Sequence, residues 1–252
     1  MKLKLLTLNL HCLEEENLET KQRLIVDTIL SKDIDIVFLQ EVAGSISDAR
    51  VSEDNYGFVL QKLLEEEGEH YDFYFQAIKK SFSKYDEGIG ILSKHPLLFS
   101  ISKTISKSQS YDNWKTRKIL AYRLKDEREN ILVATTHFGW SDGYEVFEEQ
   151  FDLATKDFSD ADLIILAGDF NISPGSKEYR HIIEKGWIDI FESSDISNQP
   201  TFIGDTFNHM KLSRIDHMVT NRPVRLLNAE ILFNDLVVSD HYGLYAEIDT
   251  IK

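Results

Sequence analysis

The stretch Leu163-Ile164-Ile165-Leu166-Ala167-Gly168-Asp169-Phe170-Asn171 governs the reading of this chain. Its apolar first half describes a buried strand, and that strand ends abruptly in a carboxylate and a carboxamide. Ile172-Ser173-Pro174-Gly175 then turns the chain away. Two polar groups at a strand mouth suit holding a hydrated metal or aiming a water at phosphorus. The same residues also read as punctuation, because Asp and Asn are common in turns and Pro-Gly breaks regular structure. Taken alone, the stretch supports both readings equally. Its partners elsewhere in the chain separate them.

Outward from this stretch, strand-like and helical runs follow one another without repeats or low-complexity linkers. Residues 3–10, 34–40, 71–77, 89–93, 97–106, 119–124, 131–137, 163–170, 215–220, 224–233 and 244–251 read as strands. Residues 18–30, 56–67, 144–158 and 176–184 read as helices, the second stopped by Gly68 and the last capped by Ser176. Strands outnumber helices, and the helices are dispersed along the chain. Two sheets packed face to face with helices outside bury such a pattern well. The 4 prolines and 12 glycines mark no linker, so residues 1–252 are expected to form one domain.

Composition bounds the function. With 28 basic and 43 acidic residues the formal net charge is −15. A field of that sign keeps a protein soluble and opposes avid, non-specific binding to DNA. Cys12 is the single cysteine, which excludes an intrachain disulfide and a cysteine-based zinc site. No apolar run is long enough to span a membrane. The opening run reads as a first strand rather than a signal peptide, so a cytoplasmic protein is expected.

Chemistry-bearing residues recur where strands end: Asn9, Gln40-Glu41, Glu87, Thr136-His137, Asp216-His217 and Ser239-Asp240-His241. Any one could cap a strand. Six at the same kind of position argue for a shared site.

These segments carry a resemblance. Thr7-Leu8-Asn9, Leu39-Gln40-Glu41-Val42, Gly90-Ile91-Leu92-Ser93-Lys94-His95-Pro96, Thr136-His137, Gly168-Asp169-Phe170-Asn171, Arg214-Ile215-Asp216-His217 and Ser239-Asp240-His241 occur in family order. Together they resemble the endonuclease/exonuclease/phosphatase superfamily, the deoxyribonuclease-I-like metal-dependent phosphoesterases. The resemblance implies a four-layer α/β/β/α sandwich with two mixed, mainly antiparallel sheets flanked by helices.

It also implies roles. Glu41, Asn9 and Asp240 match the metal site, and Mg²⁺ suits such oxygen donors, with Mn²⁺ as the alternative ion. His241 matches the catalytic imidazole and Asp216 the carboxylate that orients it. Asp169 would orient or deprotonate the attacking water, and Asn171 would donate to the developing phosphorane oxygens. His137 with Glu87 resembles a second imidazole–carboxylate couple, found in the deoxyribonuclease and sphingomyelinase branches. Arg117 matches a phosphate-contacting position, and the bland alternative is an exposed basic turn. His11 and Cys12 depart from the family pattern after Asn9, which puts a second metal in doubt. His70, His95, His181, His209 and His217 show no evident partner in the sequence, and His209 is the one expected near the site.

The implied reaction is metal-assisted hydrolysis of a phosphoester. The connection between residues 42 and 56 carries one basic residue, Arg50, and residues 139–149 carry none. A small or lipid-derived phosphodiester is therefore the expected substrate. A DNA or RNA nuclease of the same fold is the alternative, with a non-catalytic binding module behind it. No expectation attaches to the oligomeric state.

Overall fold

The computed structural model describes residues 1–49, 51–124, 129–158, 160–203 and 213–250. Two six-stranded sheets form its centre. The first contains β1 (Lys2–Asn9), β2 (Ile36–Ser45), β3 (Asp72–Ser81), β4 (Tyr85–Ser93), β11 (Arg225–Leu232) and β12 (Gly243–Asp249), in the order β11-β12-β1-β2-β4-β3. The second contains β5 (Leu97–Thr104), β6 (Lys118–Leu124), β7 (Ile131–His137), β8 (Leu163–Asp169), β9 (Ile188–Asp189) and β10 (Asp216–Thr220), in the order β5-β6-β7-β8-β10-β9. Helices α1 (Leu18–Lys32) and α2 (Tyr56–Glu66) cover the first sheet, while α3 (Phe147–Thr155) and α4 (Lys177–Glu184) cover the second.

The period-two alternation of the strands builds the layers. Leu3, Leu5, Ile36 and Phe38 face Val133, Leu163, Ile165 and Ala167 between the sheets. Their neighbours Leu6, Leu8, Val37 and Leu39 point outward to Ile25, Ile29 and Leu60 of the helices. Ile164 and Leu166 do the same towards Phe151 and Ile182. Strands buried on both faces must be apolar throughout, which is why Leu163–Ala167 reads as a continuous run. Each such side chain contributes about 1.5–3 kcal/mol on burial.

Expected and observed elements agree in order, and several differ in extent. Strands β3 and β4 run on to Ser81 and back to Tyr85, so the hairpin is longer than its apolar core. Helix α3 is shorter than expected, spanning Phe147–Thr155, because Asp142 and Glu145 organise the preceding residues into a turn. The two-residue strand β9 has no periodic pattern and was not expected. Ser176 caps α4 by accepting from Tyr179 N at 3.0 Å. Among the described residues, no helix is long and apolar enough to cross a membrane.

One pair in each sheet is parallel: β1 with β2, and β7 with β8. Both pairs are central, so four carboxyl-terminal strand ends meet at one end of the sandwich. That is where the polar residues collect.

Candidate active site

Each strand end delivers its side chain by a local backbone device. The β2–β4 pairing gains one extra residue between Leu39 and Val42, and Glu41 adopts φ 49°. This bulge turns Gln40 between the sheets and Glu41 towards the pocket. Gln40 is fully buried, accepts from Thr7 Oγ1 at 3.3 Å and donates to Thr135 Oγ1 at 3.0 Å, bridging the two sheets. On the opposite sheet, register pairs Asp169 with His137 on one side and with Asp216 on the other. Gly168 has φ +151°, and a Cβ there would meet the Thr136 carbonyl oxygen at 2.0 Å. Only glycine fits. Asn171 occupies the left-handed region at φ 55°, which asparagine tolerates.

Asp169 is the hub. Its Oδ2 accepts from Asn9 Nδ2 at 3.1 Å and lies 3.5 Å from His137 Nε2 and 3.7 Å from His241 Nε2. Its Oδ1 accepts from Asn171 N at 2.9 Å. Burial pushes the Asp169 carboxyl up to about 7; His241 opposes the rise and Asp216 adds to it. His241 Nδ1 is 2.9 Å from Asp216 Oδ2. Burial alone would depress the His241 imidazole, but Asp216 and Asp169 outweigh it and raise it to about 10. His241 is therefore an imidazolium at neutral pH. His137 is the reverse: burial, with help from Arg117, holds it well below its ordinary value and keeps it neutral. Its Nε2 accepts from Asn171 Nδ2 at 3.1 Å.

The donors expected to hold a metal fall into two kinds. Glu41 and Asp240 line the same pocket. Burial raises the Glu41 carboxyl and Glu87 adds to the rise, although the amide of Asn9 opposes it. An incoming cation would relieve that crowding of negative charge. Two carboxylates with room for waters match what Mg²⁺ asks of a protein, so the residues present fit such an ion. Asn9 has a second role besides the expected one. Its Oδ1 accepts from His11 N at 3.1 Å, while its Nδ2 ties Glu41 Oε1 (3.0 Å) to Asp169. Asn9 Nδ2 thus ties the two carboxylates together, and Oδ1, with its one bond from His11 N, keeps a second lone pair. His11 Nδ1 lies 3.0 Å from Glu15 and 3.6 Å from Asp240, at the rim. Donor atoms gather within 4.8 Å at His11, Glu15 and Asp240, and again at Asp169, Asp216 and His241.

Two further expectations need correction. The His137–Glu87 couple is not a direct pair: Glu87 is held by Lys79 Nζ at 2.9 Å and by the Ser81 hydroxyl, and His137 faces Glu41 and Asp169. Glu87 and His137 share one small cavity with Lys79 and Arg117. The amide protons of Asn171 go to His137 Nε2 and to Phe138 O (2.8 Å), so they are already committed.

Arg117 is no exposed turn residue. It is only 6% exposed, donates through Nη1 to Trp114 O (2.8 Å) and Thr116 O (3.1 Å), and its Nε has no partner among the described residues.

The remaining histidines mostly have partners that sequence spacing does not show. His95 meets Asp35 at 3.0 Å, and His181 meets Asp152 at 2.9 Å. His217 is fully buried beside Arg214 (3.3 Å), with Asp189 at 3.7 Å. His70 remains exposed, 3.7 Å from Asp72. His209 and Arg50 lie outside the described residues.

The pocket, about 490 Å³, lies within the range of small-molecule sites. Its walls include four residues the sequence did not mark: Glu14, Lys79, Trp140 and Phe202. Phe202 bridges to His241 through the backbone, with ring centroids 5.1 Å apart. Thr201 next to it accepts from Asp216 N at 3.1 Å. Thr201-Phe202 after Pro200 carries no periodic signal, and only spatial proximity reveals it.

Comparison with known proteins bears on the fold and the family. A search of curated proteins returns no match. A protein of the endonuclease/exonuclease/phosphatase family from Leptotrichia buccalis C-1013-b superimposes with TM-score 0.89 at 24% identity, over 98% of this chain and 99% of that one. TDP2 of D. rerio, complexed with single strand DNA product, gives TM-score 0.70 at 18% identity, over 99% of both chains. A mannosyl-6-phosphatase from Bacteroides thetaiotaomicron VPI-5482 gives 0.68 at 17%, over 98% and 99%. These likenesses establish the deoxyribonuclease-I-like fold. The profile of the Endonuclease/Exonuclease/phosphatase family matches residues 6–241, and the chain belongs to that family of phosphoester hydrolases.

Proposed function

We propose that this protein is a Mg²⁺-dependent phosphodiesterase that hydrolyses a small or lipid-derived phosphodiester by in-line attack of water. One observation carries the reading: Asp169 lines an open pocket with His241 Nε2 3.7 Å from its Oδ2 and with Glu41 tied to it through Asn9.

The chain's own residues divide the work. Asp169 Oδ2 accepts a proton from water as the oxygen attacks phosphorus. The ester P–O bond opposite breaks, and the leaving oxygen takes a proton from solvent or from His241. His241 Nε2, charged and oriented by Asp216, donates to a phosphoryl oxygen as charge builds there. Arg117 lines the same pocket and adds a second positive charge beside the phosphoryl group. Asn171 orients Asp169 through its backbone and neutral His137 through its side chain. A metal held by Glu41 and Asp240 would polarise the phosphoryl oxygen and position water. General acid–base groups contribute about 10²–10⁴-fold each, so positioning and electrostatics must supply the remainder.

The test is hydrolysis of bis-p-nitrophenyl phosphate with Mg²⁺, with EDTA, and by Asp169→Ala. Activity indifferent to both EDTA and the substitution would overturn the assignment. Plasmid nicking as fast as the best small diester would overturn the preference for a small substrate.

A further inference from the structure

Asp216 and His241 reach the pocket from different sheets. Asp216 opens β10 in the second sheet, while His241 stands two residues ahead of β12 in the first. No ladder within one sheet therefore sets the 2.9 Å approach of Asp216 Oδ2 to His241 Nδ1. Asp216 also gets little steering from its own side chain. Its Oδ1 is buried and has no hydrogen-bond partner among the described residues. A carboxylate engaged through one oxygen keeps its aim only where its backbone is held.

Residues 201–203 do the holding. Thr201 N and Phe202 N both donate to Ser213 O, at 3.1 and 3.3 Å, on the side that leads into β10. On the other side, Tyr242 N donates to Thr201 O at 2.6 Å, and Ile203 N donates to Asp240 O at 2.9 Å. Those two bonds flank His241, and Phe202 forms isolated bridges with both Ser213 and His241. Three residues thus lie as a strap between the chain entering β10 and the turn that carries the imidazole.

One side chain fastens the strap to Asp216. Thr201 is fully buried, and its Oγ1 accepts from Ile215 N and from Asp216 N, each at 3.1 Å. A hydroxyl oxygen has two lone pairs, so the two donors use its whole accepting capacity. A residue present only to fill space would need no hydroxyl at this point. Thr201 does not reach substrate: Phe202 and Ile215 line the pocket, and Thr201 is sealed behind them.

We propose that Thr201 is a positioning residue for the reaction, its hydroxyl fixing the Asp216 backbone against the segment that carries His241. The aim of the imidazole at the phosphoryl group follows from that fastening. The inference rests on the phosphoesterase reading above, and it adds a residue that touches neither substrate nor metal.

Two variants of the full chain separate hydroxyl from bulk. Thr201→Val keeps the outline of the side chain and removes the acceptor, while Thr201→Ser keeps the acceptor and removes a methyl. The first readout is hydrolysis of bis-p-nitrophenyl phosphate with Mg²⁺. Thr201→Val should lower kcat about 10- to 100-fold, as a displacement of about 1 Å in a reacting group does. KM should hold, since no contact with bound substrate is lost. Thr201→Ser should restore most of kcat. The second readout is the proton resonance of His241 Nδ1–H, which a carboxylate partner moves far downfield of the amides. Its absence from His241→Gln assigns it. It should shift or vanish in Thr201→Val while the amide spectrum stays dispersed, and it should return in Thr201→Ser. A valine variant as active as the wild type overturns the proposal. So does a loss of kcat with the resonance unmoved, or one that serine fails to restore. If the valine variant does not fold, the serine variant decides: a native resonance and kcat assign the role to the hydroxyl, and loss of either refutes it. The spectroscopic arm breaks no bond. A wild type that shows the resonance and hydrolyses no diester would count against the phosphoesterase reading and leave the strap standing.

Discussion

Asp169 and Asp216 stand directly opposite each other across the antiparallel β8–β10 pair, both buried, with His241 Nδ1 2.9 Å from one and Nε2 3.7 Å from the other. Like charges facing each other across a ladder destabilise a sheet. The imidazolium makes the pairing tolerable, and in the mechanism proposed above its Nε2–H is also the donor to the phosphoryl oxygen. Stability and chemistry therefore rest on one group. His241→Ala should lower kcat/KM on bis-p-nitrophenyl phosphate by about 10²–10⁴, the worth of one acid–base group. It should also cost roughly 3–5 kcal/mol by urea unfolding at pH 7, as breaking a buried ion pair does. A variant that loses activity with an unchanged urea midpoint would show that the two carboxylates do not need the imidazolium for folding.

Glu41 should report metal binding separately from proton transfer. It lines the pocket across from Asp169, and its Oε1 is tied by Asn9. In the wild type, 10 mM Mg²⁺ should raise the melting temperature, because a ligand that binds only the native state stabilises it. In Glu41→Gln that rise should largely vanish, and the Mg²⁺ concentration for half-maximal activity should increase about 10- to 100-fold, as when metal-site partners are lost. An unaltered thermal shift in this variant would remove Glu41 from the metal site.

Much of this site was legible in the sequence, and the parts that were not share a physical cause. Glu41 and Asp169 stand out because each ends an apolar run, and Asp216 and His241 because each stands just ahead of one, a local pattern. Gln40 stands beside Glu41 in the same pattern, yet it bridges the sheets at Thr135 because a single-residue bulge separates the two side chains. No periodicity encodes a bulge. Glu87 was assigned to His137 by family analogy, but Lys79 from the neighbouring strand β3 takes it, since register places Lys79 opposite Glu87. Asn9 was expected at the metal, and the tie that its Nδ2 makes between Glu41 and Asp169 has no signature in the sequence. Trp140 and Phe202 lie on loops, where position is set by tertiary contacts rather than by spacing.

The buried cluster of Arg214, Asp189 and His217 sets the acid side of stability. His217 Nε2 is 2.9 Å from Ile172 O, and Arg214 Nη1 lies 3.3 Å from its Nδ1. Burial, with Arg214, lowers the imidazole below its ordinary value. An unfolded histidine takes up a proton near pH 6.5. Below that pH the unfolded chain binds a proton that the native state refuses, so the contribution present above pH 6.5 is lost as pH falls. His241 has the opposite sign. Its raised value means a contribution fully present below pH 6.5 and lost as pH rises through about 10. For these two histidines alone, stability should peak near pH 6–7; the raised Asp169 carboxyl opposes this, since between about pH 4 and 7 the native state holds a proton that the unfolded chain releases. Urea midpoints should fall between pH 6.5 and 5 by at most about 1.4 kcal/mol per pH unit for this histidine. His217→Asn should flatten the acid limb while leaving the alkaline limb intact. An acid limb equally steep in the variant would assign it to other groups.

Gly168 offers the sharpest test of how the fold aims its chemistry. Its φ of +151° and the 2.0 Å approach of the Thr136 carbonyl to a Cβ leave no room for alanine without parting β7 from β8. The displaced residues would be His137 and Asp169, which are register partners one step further along the same pair. Gly168→Ala should therefore destabilise the protein by more than the ~1 kcal/mol typical of a substitution, because strained backbone and overpacking act together. Activity should fall further than stability explains. A shift of about 1 Å in a reacting group can cost 10²-fold. The check is kcat/KM measured well below the variant's own melting temperature, where all molecules are folded. Gly175→Ala is the control: it also has positive φ, at 78°, but its added Cβ meets nothing within 4 Å. It should lose stability through backbone strain and keep its activity. If the Gly168 variant, once folded, were as active as the Gly175 variant, the close contact between the β7 and β8 strand ends would not be what positions Asp169.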